Sequence, residues 1–415
     1  MAWVVGLQPS ITDNAATDMS KESILPTGSA GTPAPAIVAA LEAGGGWIGF
    51  DDFMALALYA PGLGYYASGS RKFGLMPASS AALVDGHARG HARDHASAHA
   101  TGDEAGSDFA TAPEISPHFG RTLARQVAQA LTVSATREVW EFGAGSGALA
   151  QQLLESLGPQ VERYTIVDLS GSLRERQAVR LAGYAGKVEW LDRLPDRFSG
   201  VVLGNEVLDA MPVKLLTRLG GVWHERGVVL SKGALVFADR PTDLRPPVDI
   251  DGTQDYVTEI HPQAEGFIRT LADRLVRGAA FFIDYGFPEH EYYHPQRSTG
   301  TVMCHRAHRV DADPLLDVGD KDITAHINFT GIALAAQEAG MQVLGYTGQG
   351  RFLLNCGLID GLQHASLGER AMVQKLVNEH EMGELFKVIG FAAATPGDAQ
   401  WQPMGFAQGD RTQSL

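Results

Sequence analysis

The sequence predicts an α/β protein built on a parallel sheet with helices on both faces. Strand-like and helix-like segments alternate from Val139 to Glu206, and the turn after the first of these strands carries three glycines that open onto a helix. Alternation of this kind needs crossover helices, which cover both faces of a parallel sheet. A third observation adds a second layer. VKLLTRLGGVWHERGVVLSKGALVFADR reads as an antiparallel meander inserted after the fourth strand, turned at Gly220-Gly221 and Lys232-Gly233.

In chain order, residues 1–35 are rich in Ser, Thr, Pro, Gly and Ala without periodicity and are expected to form a disordered tail. A helical N-terminal region should occupy 36–125. DDFMALALYAP predicts a short helix that Asp51 or Asp52 caps and Pro61 stops. PGLGYYASG is a turn carrying Tyr65 and Tyr66. Segment 79–107 is low in complexity, with His87, His91, His95 and His99 every four residues. On a helix these would form one stripe able to bind metal. The segment has no apolar face to make it fold, so a solvated insertion with no metal is the expectation. Ile115, Phe119, Leu123, Val127 and Leu131 then fall four residues apart, the spacing of a buried helix face.

The core should span 126–358, with the meander at 213–240. Its elements are VWEF, a helix from Leu149 to Leu157 closed by Gly158-Pro159, YTIVDL, LRERQAVRLAG, KVEWLD and FSGVVLGNE. After the meander comes a Pro-rich linker, PTDLRPPVD. A helix around Phe267, Ile268, Leu271 and Leu275 feeds the buried strand GAAFFIDYG. Helix INFTGIALAAQEAG ends at Gly340, followed by strands MQVLGYT and RFLLNCG. Residues 359–395 are expected to be helical and 396–415 to be a tail. No internal repeat is visible.

Bulk properties narrow the function. A net charge of −15 argues against nucleic acid, because tracking a phosphate backbone needs a basic stripe. It suits a small molecule or a basic peptide, and solubility alone would also explain it. No apolar run approaches the roughly 20 residues that cross a bilayer. Lys21 is opposed by Asp13, Asp18 and Glu22, which fits neither a secretory signal nor a transit peptide. Cys304 and Cys356 make no disulfide framework and no zinc cluster, so a reducing cytoplasm is expected.

The chemistry turns on VWEFGAGSGALAQQLL. Gly143, Gly145 and Gly147 fill a strand-to-helix turn, where glycine accepts positive φ and lets a ligand approach the backbone. The N–H groups at the helix start would face that ligand. No Gly-Lys-Ser/Thr follows, which excludes a Walker loop. A dinucleotide fingerprint stays open, since Gly143, Gly145 and Ala148 satisfy its form and Asp168 lies at the ribose-binding distance. Glu141, however, would be a poor neighbour for pyrophosphate. Glu141, Asp168, Asp192 and Asn205-Glu206 all fall at the carboxyl ends of strands, where open α/β sheets bind ligands. This set fits S-adenosylmethionine: glycines against the methionine portion, Asp168 on the ribose, Asp192 near the adenine amino group, Glu206 near the sulfonium. Asp192 could instead cap a helix.

The words PGLGYY, SDFATAPEISPHFG, EFGAGSGALA, DLSGSLRERQ, GNEVLDAMPV, IDYG, DPLLDVGDKDITAHINF and QGRFLLNCG run in order from about 36 to 395. With them the chain resembles the MidA-like class I methyltransferases, whose mitochondrial members are arginine methyltransferases that assist assembly of respiratory complex I. The resemblance implies a Rossmann-like class I methyltransferase sheet with N-terminal helices and the meander over the active site. It also implies S-adenosyl-L-methionine as cofactor and N-methylation of an arginine in a partner protein, a complex I subunit or its bacterial equivalent. Homodimerisation stays open. Two positions depart from the family: Asp168 stands where glutamate is common, and Met303 where a basic residue is expected.

An arginine acceptor is always cationic, so carboxylates must orient it and a base must take its proton. Glu206 and Asp209 are the expected clamp, with Asp284 and Tyr285 lining the same pocket. His326 is the candidate proton acceptor. Glu114 would face donor or acceptor from above, and Tyr66, with Tyr65, would pack on the substrate or fill core. Asp209 and Glu114 also suit helix starts. Two other functions compete: a nicotinamide-dependent oxidoreductase on the same sheet, and a non-catalytic assembly factor that keeps the fold.

Overall fold

The computed structural model describes residues 33–67, 111–168, 171–306, 309–393 and 401–415. The tail through residue 32 and the His-rich segment 79–107, with His87, His91, His95 and His99, lie outside the described residues. Among the described residues no helix is long and apolar enough to cross a membrane.

The chain begins with α1 (Pro35–Ala43), the short strand β1 (Trp47–Gly49) and α2 (Phe50–Tyr59). Pro35 occupies the first helical turn, where a missing N–H costs nothing. The expected aspartate cap of α2 is not formed. Gly49 holds the cap position, and Asp51 lies inside the first turn, 2.9 Å from the Lys214 ammonium. After α3 (Ala112–Ile115), α4 (Pro117–Val133) buries Phe119, Leu123, Val127 and Leu131 along the face that the four-residue spacing marks. Ile115 falls in α3 instead, because Ser116 breaks the helix and caps α4 through the His118 N–H.

The core follows as β2 (Glu138–Phe142), α5 (Ala148–Leu157), β3 (Arg163–Val167), α6 (Gly171–Arg180), β4 (Val188–Leu191) and β5 (Phe198–Asn205). The meander is β6 (Lys214–Leu219), β7 (Val222–Ser231) and β8 (Ala234–Pro241). It recruits β1 along β7 and β9 (Tyr256–Ile260) along β6, making a five-stranded antiparallel sheet. Then come α7 (Pro262–Arg274), β10 (Leu275–Phe287), α8 (Glu289–Tyr292) and a small sheet of β11 (Met303–Arg306), β12 (Arg309–Asp311) and β13 (Asp322–Thr324). The chain continues through β14 (Ile327–Asn328), α9 (Phe329–Glu338), β15 (Gln342–Gly348), α10 (Gln349–Asn355), α11 (Leu367–Val377), α12 (Met382–Leu385) and β16 (Phe386–Ala392).

The main sheet runs β15-β16-β10-β5-β2-β3-β4, with β14 joined to the far end of β10. β10, β5, β2, β3 and β4 are mutually parallel, and β16 runs antiparallel to both its neighbours. From β2 the chain moves outward through β3 and β4, then returns to β5 on the other side. That reversal opens a crevice beyond the carboxyl ends of β2 and β5. One sheet face packs on α4, α5 and α10 around Leu123, Leu153 and Phe352; the other packs on α7 and α9 around Phe267, Ile268 and Ile332. β5 and β10 approach so closely that a Cβ on Gly278 would overlap the Gly200 carbonyl, and both residues have positive φ.

Three expectations about the chain's later part need correction. RFLLNCG is helix α10, not a strand: Phe352, Leu353 and Cys356 are buried while Leu354 is 38% exposed, a helical rather than alternating pattern. A short apolar run leaves that choice open in sequence. FKVIGFA, inside the stretch expected to be helical, is β16; Val388, Ile389 and Phe391 are buried on both faces between β10 and β15. The expected tail is packed structure from residue 401. Phe406 contacts Phe281 and Phe352 with ring centroids 6.5 and 5.3 Å apart. Asp410 accepts the Tyr346 N–H at 3.0 Å, and Arg411 pairs with Glu384.

Candidate functional site

β2 ends in Glu141-Phe142, and the chain then turns through Gly143, Gly145 and Gly147 at φ of 59°, 53° and 80°. All three sit in the left-handed region that favours glycine. A Cβ on Gly143 would come to 3.0 Å from Val207, whereas on Gly145 it would meet no protein atom within 4 Å. Gly145 therefore faces open space in the crevice. Gly147 caps α5 against Gln177 and is not part of the crevice lining.

The crevice is lined from three directions. The sheet contributes Glu141, Gly143, Gly145, Asp168, Asn205, Glu206, Asp209 and Tyr285. The N-terminal region contributes Tyr59, Tyr65, Tyr66 and Glu114. The loop through β13 contributes Asp322 and Thr324. Among the described lining residues six are carboxylates and none is Lys, Arg or His. Such a wall repels a pyrophosphate and attracts a cation.

At one end, Glu141 is 2% exposed and accepts the Tyr164 hydroxyl at 2.6 Å. Burial raises its carboxyl to about 7 against the pull of that hydrogen bond. Asp168 is buried at the end of β3, its N–H donating to the Leu191 carbonyl at 3.1 Å. Glu114 accepts from Arg180 at 3.0 Å and from the Ser146 hydroxyl, so it closes over the glycine turn as an ion pair.

At the other end, Glu206 follows β5 with φ of 54°, a left-handed conformation that costs a non-glycine residue about 1–2 kcal/mol. Its N–H donates to the Ile283 carbonyl, and its carboxylate accepts the Asn205 amide at 3.0 Å. Burial, then the neighbouring Asp209, pushes Glu206 up to about 8. Asp209 accepts the Tyr285 hydroxyl; burial raises its carboxyl too, opposed by that bond. Tyr66 donates to both oxygens of Asp322 at 2.9 and 2.8 Å. Its ring stacks on Tyr59 at 5.6 Å, and the Tyr59 hydroxyl donates to the Ala210 carbonyl at 2.7 Å. Asn205 Oδ1 and Asp209 Oδ1 are buried and have no hydrogen-bond partner among the described residues.

Of the residues expected at the site, Glu141, Gly143, Gly145, Asp168, Asn205, Glu206, Asp209, Glu114, Tyr66 and Tyr285 come together here. Four others do not line the crevice: Gly147, which caps α5, and Asp192, Asp284 and His326. Asp192 is exposed in the bend after β4. Asp284 is buried behind the site, where one carboxylate oxygen collects the N–H groups of Val207, Leu208 and Asp209 at 2.9–3.2 Å. It shapes the loop rather than facing a ligand. His326 packs edge-on against Tyr285 and Phe287, and burial lowers it to about 4, a poor proton acceptor. Tyr59, Asp322, Thr324 and Gln177 escaped the sequence reading. Asp322 was findable, since it alternates with Thr324 in the DITAHINF word from which His326 was taken.

The site suits S-adenosylmethionine on three structural grounds. Among the described residues the lining is acidic and holds no basic group, Gly145 leaves a surface on which a Cβ would stand in the crevice, and two buried acceptors have no partner. Glu141, the glycine turn and Asp168 would hold the donor, with Asn205 and Glu206 toward the transferring group. A nicotinamide dinucleotide fits poorly, because nothing basic among the described lining residues would offset its phosphates.

Comparisons with known proteins agree. The crystal structure of a "likely methyl transferase from Burkholderia thailandensis bound to S-adenosyl-homocysteine" is 46% identical, with a TM-score of 0.79, covering 93% of this chain and 100% of that one. A native structure of a protein from the same organism is 44% identical, with a TM-score of 0.77 and the same coverage. Among curated proteins, the mitochondrial protein arginine methyltransferase NDUFAF7 homologs of Drosophila melanogaster and Caenorhabditis elegans are 27% and 24% identical. They cover 70% and 66% of this chain and 75% and 71% of their own lengths. A family model described as "Putative S-adenosyl-L-methionine-dependent methyltransferase" matches residues 122–347, more than half of the chain, and with the 46% identical structure it shows that this protein belongs to that methyltransferase family.

Proposed function

We propose that the protein methylates a guanidino nitrogen of an arginine in a partner protein, a subunit of respiratory complex I or its bacterial equivalent. The observation that carries this reading is the acidic end of the crevice, where Glu206, Asp209 and Asp322 stand beside Tyr59, Tyr66 and Tyr285. The names of the two curated relatives support the arginine, and the family resemblance supports the partner.

A guanidinium is planar, always charged, and presents N–H groups in a fixed fork that matches carboxylates and stacks on aromatic rings. Asp209 has one oxygen committed to Tyr285 and the other buried with no partner among the described residues, so Oδ1 is placed to accept a guanidinium N–H. Asn205 Oδ1 offers a second acceptor. S-adenosylmethionine supplies a methyl group on a positively charged sulphur. The residues hold the guanidinium in line, exclude water, and take the proton that the methylated nitrogen gives up. Glu206 suits that last role, because a carboxyl near 8 lies close to working pH.

The test is methylation with isotopically labelled donor in extracts of the host lacking this protein, followed by mass spectrometry. A one-methylene increment on arginine of a complex I subunit is expected only when the protein is added back. Label confined to lysine or to small molecules would overturn the proposal.

A further inference from the structure

Gln177 lies outside every role described so far; it does not line the crevice but is completely buried against two groups that do, Gly145 and Asp168. It sits on α6, a helix that supplies none of the carboxylates. Its amide nitrogen donates to the Gly145 carbonyl and to Asp168 Oδ2, both at 3.0 Å. Its amide oxygen accepts the Trp190 indole N–H at 2.9 Å. Both amide protons and the carbonyl are thus used at once. Only one orientation works, since a flipped amide would turn its oxygen toward two oxygens and its nitrogen toward an N–H. The Gln177 side chain also packs against Gly147, whose Cβ would stand 3.5 Å from its Cγ.

These contacts join three separate strands' ends. The glycine turn follows β2, Asp168 follows β3, and Trp190 lies in β4. A carboxylate at a strand end has rotamer freedom, and a glycine turn has backbone freedom. Ligand binding would have to quench both. Gln177 ties each to the other and both to the half-buried Trp190 indole before any ligand arrives.

We infer that Gln177 is a positioning residue for donor binding, which fixes the Asp168 carboxylate and the Gly145 carbonyl in register with one another for a ligand that carries a vicinal diol. The inference rests on the methyltransferase reading of the crevice and is independent of which acceptor is methylated. It predicts that Gln177 affects donor affinity and leaves turnover at saturating donor nearly unchanged, because it touches no group at the acceptor end.

Two substitutions test it in the full chain, with S-adenosyl-homocysteine titrated calorimetrically and steady-state rates measured alongside. Gln177→Met, similar in volume without the amide, should weaken binding about tenfold and raise the donor KM by a similar factor, with kcat within about twofold of wild type. Gln177→Glu sets a carboxylate beside Asp168. It should weaken binding about a hundredfold near pH 8 and recover toward Gln177→Met near pH 6, where the two carboxyls share a proton. A merely structural residue would lower kcat and thermal stability along with affinity, rather than confine the defect to donor binding and donor KM. Far-ultraviolet circular dichroism establishes that both variants are folded. Variants that bind within about twofold of wild type, or a Gln177→Glu defect independent of pH, would overturn the assignment. Absence of binding by the unsubstituted chain would overturn it together with the methyltransferase reading, so the two failures are distinguishable.

Discussion

At the scale of single residues, Glu206 holds the greatest tension. It is left-handed, half-buried and surrounded by other acids, and it stays because the Asn205 amide and the Ile283 carbonyl fix it. Its folded-state carboxyl near 8 lies above the ordinary carboxylate value. The folded chain therefore keeps a proton that the unfolded chain releases. Stability falls as pH rises from the ordinary carboxylate range through about 8 and stays reduced above it. Glu206→Gln should accordingly gain about 1–3 kcal/mol over wild type near pH 9 and little near pH 4, measured by thermal denaturation. The same variant should lower kcat by about a hundredfold or more with donor binding kept within a few-fold. In wild type, kcat/KM for the acceptor should climb through about pH 8, as Glu206 loses its proton, and level off only above about pH 9. Glu206, Asp209 and Asp168 were legible because strand ends mark where ligands sit in such sheets. Asp192 and His326 were misplaced because nearness in sequence to a strand end says nothing of side-chain direction. β13 ends at Thr324, and beyond it the chain carries His326 behind Tyr285.

At the scale of elements, the loop after β5 hangs on the neighbouring strand. Asp284 in β10 receives the N–H groups of Val207, Leu208 and Asp209, and so sets where Glu206 and Asp209 stand. Asp284→Ala would strand those donors in the interior at about 1–3 kcal/mol each before relaxation. We expect a loss of about 3 kcal/mol in urea denaturation and of most activity, with Asp284→Asn milder because it keeps an acceptor. The glycine turn behaves differently. Gly145→Ala should cost about 1–2 kcal/mol for its left-handed backbone, yet weaken donor binding by about tenfold or more, since its Cβ enters the crevice. Alternation and glycine placement made β2 through β5 readable from sequence. The α10 and β16 assignments failed because RFLLNCG and FKVIGFA are short apolar runs buried on several sides, and such runs carry no period that separates strand from helix.

At the scale of the whole molecule, the N-terminal region and the loop through β13 close the crevice, while the main sheet supplies its floor; the meander, expected over the site, contributes no lining residue and packs on α1 and α2 instead. The pairing of the meander with β1 was invisible in sequence, since a three-residue strand has no pattern of its own. The segment from 401 onward looked like a tail because it is polar and rich in Gly and Gln, and only tertiary contact shows Phe406 resting on Phe281 and Phe352. Phe406→Ala should lower stability by about 3–5 kcal/mol in chemical denaturation. β16 lies between β10 and β15 although it is made after both. On the ribosome, the growing polypeptide therefore carries an open slot in the middle of its scaffold until residues beyond 386 emerge, its two bordering edges unpaired and adhesive. Premature termination shortly before that point would yield an aggregating product dependent on chaperones rather than a trimmed enzyme.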